Sequence, residues 1–256
     1  MQHLKSSLTP VASAVSAITA MQTKLLFFCI LMAPQAWSAV YHVDSAAGHD
    51  AATGTEAAQP WRSLEKVNNT PLQPGDKVLF KAGGRWSGQL KPKGSGSEGK
   101  LILIGRYGDG DAPRIDGEGK VRDTVLIQNQ SFIEVADLHV TNQGSSPAPW
   151  RTGVRVFADG IGRMQRVFLR RLHVRDVNGD LRKSHEGSGI FFEATGKNDS
   201  HFDGLLIENC HLVKTDRNGI CQRGTGKVRS RNVIITGVGA RFSNTTTAFR
   251  TKVGSC

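Results

Sequence analysis

Three aligned phrases carry one group of side chains that could do chemistry, and the loops beside them carry the favoured one. The phrases read GVRVF from Gly153, GIFFE from Gly189 and GICQR from Gly219. If the residue after each glycine points inward, strand alternation turns two columns outward: Arg155, Phe191 and Cys221, then Phe157, Glu193 and Arg223. A carboxylate such as Glu193 can carry a proton, and the planar fork of Arg223 matches an anionic carboxylate. Phe191 and Phe157 offer apolar ring faces to a substrate. The plain structural reading of Glu193 and Arg223 is a cross-strand ion pair.

Loops after the neighbouring strands add a second group. One runs RDVNGD from Arg175, another KTDRNG from Lys214, and LRKSHEG from Leu181 supplies Arg182, Lys183, His185 and Glu186. Asp176 and Lys214 align. Loops carry binding and catalytic groups more often than the strands that frame them. The expected catalytic set is therefore His185, Glu193, Arg223, Asp176 and Arg217. Phe191, Lys214, Arg182 and Glu186 are expected to contact substrate. A column of His139, His173 and His211 is more regular, yet it reads first as an outward stack on a solvated sheet. Stacked imidazoles can bind metal, but no carboxylate repeats beside them. Asp44, Asp50, Gly48 and Gly54 lack the spacing of a calcium loop and read as turn chemistry.

The element that must position these groups is a recurring phrase: IEVADLHVTN from Ile133, VFLRRLHVRD from Val167 and LLIENCHLVK from Leu205. Its apolar residues superpose without gaps: Val135, Leu169 and Ile207; Leu138, Leu172 and Cys210; Val140, Val174 and Leu212. Such recurrence marks a solenoid. Coil starts fall at Val125, Val154, Ile190 and Ile220, with loops absorbing the unequal spacing. Three short strands per coil give an all-β fold, a right-handed parallel β-helix, with Asn209 at a tight bend between strands. Ahead of the coils, PWRSLEKVN predicts one short capping helix opened by Pro60, because Trp61, Leu64 and Val67 fall at helical spacing. A Pro74-Gly75-Asp76 turn then feeds a strand from Val78 to Phe80, and Leu101 to Ile104 forms another.

The first residues stand apart. From Met21 to Ser38 the layout is Lys24, an apolar run from Leu25 to Ala33, then Ala36 and Ser38 at the −3 and −1 positions of a cleavage site. Residues 1–20 read as an extension before the true start, 21–38 as a signal peptide, 39–124 as the N-terminal cap and first coils, and 125–256 as coils. The apolar run is too short to span a bilayer. The expected location is secreted or periplasmic, with no membrane span. Net charge is +11, and +9 without Lys5 and Lys24. That balance suits an anionic partner. Cys210, Cys221 and Cys256 are an odd number and imply no disulfide framework.

The opening VDS…GHD…GT from Val43, the cap PWRSL from Pro60, the PGD turn and the coil phrases together resemble the secreted bacterial right-handed parallel β-helix proteins of the pectate-lyase-like superfamily. The resemblance covers about residues 41–238. It implies a carbohydrate-active protein acting as a monomer on a polysaccharide, without nucleic acid. Combined with the basic balance, the expectation is β-elimination on an acidic, uronate-containing polysaccharide, with an arginine or a divalent cation such as Ca2+ neutralising the uronate. The alternatives are a glycoside hydrolase using paired carboxylates and a non-catalytic carbohydrate-binding or surface protein. After Ile235 the phrase decays, which reads as a C-terminally truncated copy, with loss of activity as one expected outcome.

Overall fold

The computed structural model describes residues 38–180, 187–196, 198–216, 218–224, 234–236 and 239–241. The N-terminal part contains β1 (Val40–Val43), α1 (Leu64–Asn69), β2 (Lys77–Lys81), β3 (Arg85–Ser87), β4 (Ile102–Tyr107) and β5 (Arg114–Asp116). Regular coils follow. The first has β6 (Asp123–Gln128), β7 (Ile133–Ala136) and β8 (His139–Asn142). The second has β9 (Thr152–Asp159), β10 (Arg163–Arg170) and β11 (His173–Val177). The third has β12 (Ser188–Thr195), β13 (His201–Glu208) and β14 (His211–Thr215). Then come β15 (Asn218–Gly224), β16 (Ile234–Thr236) and β17 (Gly239–Arg241).

Every named strand pairs in parallel with its counterpart one coil away. Three sheets result, in the orders β1-β2-β4-β7-β10-β13-β16, β3-β5-β8-β11-β14-β17 and β6-β9-β12-β15. This is a parallel β-helix of about five turns.

Period-two alternation fixes the interior. Ile102, Ile133, Val167 and Leu205 form one buried column, and Ile104, Val135, Leu169 and Ile207 the next. Ile115, Val140, Val174 and Leu212 line the second sheet; Val125, Val154 and Ile190 line the third. Each such side chain contributes about 1.5–3 kcal/mol by leaving water. Corners between the first and second sheets fall at Asp137, Arg171 and Asn209, whose φ angles of 59°, 49° and 53° are left-handed. That conformation costs an ordinary residue about 1–2 kcal/mol. The expected bend at Asn209 is present. Side-chain support at this corner comes from Arg171, whose Nε and Nη2 donate to Asp137 at 2.7 and 2.8 Å.

The cap differs from the expectation in one respect. α1 starts after Ser63, not at Trp61, because the Ser63 hydroxyl accepts from the Lys66 amide at 3.1 Å and serves as the N-cap. Trp61 instead forms a parallel bridge with Val43. The two early aspartates do turn chemistry. Asp50 accepts from the amides of Arg62 and Ser63, and Asp44 accepts from those of Ala46 and Ala47 while pairing with Lys81 at 2.7 Å. Where the phrase decays, β16 and β17 keep the ladder's register, with Gly239 opposite His211 and Ala240 opposite Leu212 as their alignment gives.

Leu169 sits wholly buried at the centre of its column. Leu169→Ala is expected to cost about 2–5 kcal/mol, measured as a lowered urea midpoint at unchanged slope. A loss below about 1 kcal/mol would contradict this packing.

Candidate functional site

The outer face of the third sheet concentrates the charge chemistry. Asp123 opens β6, and its turn is held from behind by Asn142, a buried residue ending β8. The Asn142 Nδ2 donates to the carbonyls of Val121, Arg122 and Thr152 at 3.1, 3.2 and 2.9 Å, and its Oδ1 accepts from the Gly119 amide at 3.1 Å. Gly117 is required in the same turn, because a Cβ there would collide with the Asn142 amide and the Thr124 hydroxyl. Coil stacking then places Thr152 beside Asp123 and Ser188 beside Thr152.

Asp123 is only 2% exposed, and the Thr152 hydroxyl donates to its Oδ1 at 2.7 Å. Arg155, from the next coil, places Nη1 3.7 Å from Asp123 Oδ2, while its Nη2 donates directly to Glu193 on the coil beyond. Arg223, one coil further, brings Nε to 3.7 Å from Glu193 Oε1. One guanidinium thus lies between two buried carboxylates. Burial pushes the Asp123 carboxyl above its ordinary pKa, and the Thr152 hydroxyl and the Arg155 and Arg122 charges only partly offset that. Two polar atoms of this floor, Ser188 Oγ and Arg155 Nε, are buried without a hydrogen-bond partner.

The rim is aromatic and cationic. Trp150 is half-buried, with the guanidinium of Arg122 5.2 Å from its ring and that of Arg223 5.6 Å away. Arg155 also lies 4.1 Å from the Phe157 ring.

Glu193 and Arg223 come together as expected, and Arg155 joins them. Phe191 does not offer a face to solvent: it is fully buried on this sheet below Arg155, so the exposed aromatic surface falls to Trp150 and Phe157. Asp176 and Lys214 are aligned corner residues, both left-handed (φ 51°). Asp176 is engaged by its neighbour Arg175 at 2.7 Å, and Lys214 is exposed. Arg182, His185, Glu186 and Arg217 lie outside the described residues. Asp123 and Trp150 are what the sequence reading missed. Aligning RDTV, RTGV, GSGI and RNGI, from Arg122, Arg151, Gly187 and Arg217, exposes Asp123 as the one carboxylate in a column of Thr152, Ser188 and Asn218. Trp150 has no repeat partner and gives no such signal.

The histidines form the outward stack read from their spacing. His139 and His173 contact each other through Nε2 and Nδ1, and the ring centroids along the stack are 4.2 and 4.9 Å apart. Arg114 and Arg85 continue the column. Among the described residues no group of three or more His, Cys, Asp or Glu is placed to hold a metal. Burial, then the neighbouring His139, His211 and Arg175, push His173 down to about 4. Cys210 is a buried thiol, raised by burial to about 11, and Cys221 is disulfide-bonded.

Fold and site together describe a parallel β-helix carrying a carboxylate–guanidinium cluster on one outer face. The chain is similar to lacto-N-biosidases. A curated lacto-N-biosidase of Bifidobacterium longum is 29% identical over 247 aligned residues, which cover 70% of this chain and 15% of that protein. Crystal structures of the GH136 lacto-N-biosidase from Eubacterium ramulus match with TM-scores of 0.67 at 27% identity and 0.70 at 24% identity. They cover 82% and 89% of this chain, which spans 40% and 45% of theirs. No family model matches the chain.

These relatives correct the elimination chemistry expected above, since they are glycoside hydrolases and not lyases. The physical reason is visible at the site. Arg223, the residue read as able to hold a uronate, is paired with Glu193, and Arg155 lies between Glu193 and Asp123.

Two outcomes follow from these charges. Arg155→Met leaves two buried carboxylates without their shared cation and is expected to cost about 3–5 kcal/mol. Adding Glu193→Gln should restore part of that loss in denaturant unfolding; a simple sum of the two losses would show that the groups are not coupled. His173 has a folded pKa of about 4, below the 6.5 of a free imidazole, so the unfolded chain binds its proton first. Stability therefore falls as pH drops from about 6.5 towards 4, by about 1–2 kcal/mol once solvent screening of this half-exposed ring is allowed for. His173→Gln should flatten that slope in thermal melts, and an unchanged slope would locate the acid sensitivity elsewhere.

Proposed function

We propose that the protein is a secreted glycoside hydrolase in which Asp123 is the acid and Glu193 the second carboxyl group of the pair. One observation carries this: Asp123 is biased towards its protonated form by burial, and Glu193 lies across a shared guanidinium from it. Glycosidases place two carboxyl groups roughly 5–9 Å apart around the scissile bond. Here a single guanidinium, that of Arg155, reaches both carboxyl groups. Asp123 gives its proton to the glycosidic oxygen as the C1–O bond breaks. Glu193 offsets the positive charge that develops on the ring, and a water oxygen then bonds to C1 while its proton passes to the Asp123 carboxylate. Thr152 fixes the Asp123 oxygen that does not carry the proton.

The lacto-N-biosidase relatives support a glycan bearing lacto-N-biose as the substrate class. Secretion is supported by the leader layout at Met21–Ser38, by the absence, among the described residues, of a helix long and apolar enough to cross a membrane, and by the disulfide at Cys221.

Asp123→Asn is expected to reduce turnover about 100-fold or more on a substrate with a sugar leaving group. The loss should be smaller on an aryl lacto-N-bioside, whose leaving group needs less protonation. The melting temperature should hold or rise, because the substitution removes a buried ionisable group. Wild-type activity should fall as pH rises through the elevated Asp123 value. Full activity of Asp123→Asn on both substrates would sink the assignment.

A further inference from the structure

The sequence contains two Asn-Gly dipeptides, Asn178-Gly179 and Asn218-Gly219. In such a pair the glycine nitrogen can attack the asparagine carboxamide, because no side chain shields it. The fold treats the two pairs differently. Asn178 is locked: its Oδ1 accepts from the Gly144 amide at 2.8 Å and from Arg151 Nη1 at 2.6 Å, and its Nδ2 donates to the Gly144 carbonyl at 2.8 Å. These bonds strap the loop from Gly144 to Arg151 onto the coils. The main chain is pinned as well. Gly179 forms a parallel bridge with Ala148, and the Asp180 amide donates to the Ala148 carbonyl at 3.1 Å.

Asn218 opens β15, the outermost of the described strands in the third sheet. Its side chain is half-buried, and among the described residues its carboxamide has no hydrogen-bond partner. The register stacks it in one column with Ser188 and Thr152, and a glycine follows each of the three: Gly219, Gly189 and Gly153. Packing imposes glycine at that next position. A Cβ on Gly153 would lie 2.5 Å from a Val174 methyl, and one on Gly189 would lie 2.7 Å from a Leu212 methyl and 2.8 Å from the Gly219 carbonyl oxygen. An asparagine in this column is therefore held in an Asn-Gly pair by the interior of the coil.

We infer that Asn218 is a site of spontaneous deamidation, with Asn178 protected in the same chain. In this step the Gly219 nitrogen bonds to Asn218 Cγ, the Cγ–Nδ2 bond breaks, and the Gly219 N–H proton leaves with the NH2 group as ammonia. Water then opens the cyclic imide at either carbonyl and gives aspartate or isoaspartate, with nothing oxidised or reduced. The Asn178 carboxamide must give up its bonds to Gly144 and Arg151 before it can turn onto the next nitrogen, whereas that of Asn218 gives up none to a described residue. Among the described strands β15 pairs only with β12, and a strand paired on one side opens locally at lower cost than one paired on both. The isoaspartyl product adds a carbon to the main chain of β15 ahead of Arg223, which the register sets opposite Glu193.

Ageing the full chain at mildly alkaline pH, followed by proteolysis and peptide mass spectrometry, tests the site. The peptide carrying Asn218 is expected to gain one mass unit about 10-fold or more faster than the peptide carrying Asn178. Repeated in heavy-oxygen water, the product at Asn218 should carry the heavy isotope, as hydrolysis of an imide requires. In chain unfolded by urea the two rates should converge, because the bonds that lock Asn178 are gone. An Asn218 rate no faster than that of Asn178 in the folded chain would overturn the proposal, whether both residues stay intact or both react. So would rates that still differ about 10-fold in urea, since the difference would then lie in the neighbouring sequence and not in the hydrogen bonds of the fold.

Discussion

In-register stacking of each coil on the next is the constraint from which the rest of this molecule follows. Parallel backbone ladders pair every strand with its counterpart one coil away. A slip of one residue would turn Val135, Leu169 and Ile207 outward together and bring polar neighbours in. The apolar columns therefore fix the register, and the register fixes which outward side chains meet. Asp123, Arg155 and Glu193 are far apart in sequence, yet they touch because each occupies its own rung of one ladder.

The outward surfaces are used unequally. On the first sheet Arg170 links Glu134 and Glu208 at 2.8 and 2.9 Å, a half-buried ladder that costs little desolvation. On the third sheet a similar alternation of sign is buried, and there desolvation competes with pairing. Asp123 shows the result: its neighbours include two arginines, yet burial still dominates its proton affinity. Ser188 Oγ and Arg155 Nε beside it lack partners. A face built for stability alone would have apolar residues here. Unsatisfied polar atoms next to a carboxyl group of raised proton affinity are what mark this face as a candidate site.

Much of the fold was legible in the sequence because period-two burial repeats in three phrases, so each copy checks the others. β3 and β5 were missed, since three residues are too few for alternation to register. The helix start was misplaced because Trp61, Leu64 and Val67 mimic a helical stripe; Trp61 is buried through a strand bridge instead. Glu193 and Arg223 could be read as neighbours from column alignment alone. The surroundings could not. Whether Arg223 is available to a ligand depends on its pairing with Glu193, and whether Phe191 meets solvent depends on what covers it. Asp123 fell two residues before the point where the coil phrase was taken to begin, and Trp150 owes its position to a strapped loop outside the repeat.

Asp123 and Glu193 belong to coils separated by a whole turn, and Arg155 on the intervening coil joins them. The site is therefore a product of vertical assembly. No single coil contains it, and no pair of adjacent coils holds both carboxylates. A partly formed solenoid, however regular, would have neither the juxtaposed charges nor the burial that biases Asp123. The same arrangement frees the loops, because lengthening a connection between rungs does not change the rise from one rung to the next. Such a scaffold can vary its rim across a wide range of sequences while the spacing of its reactive groups stays set by backbone geometry.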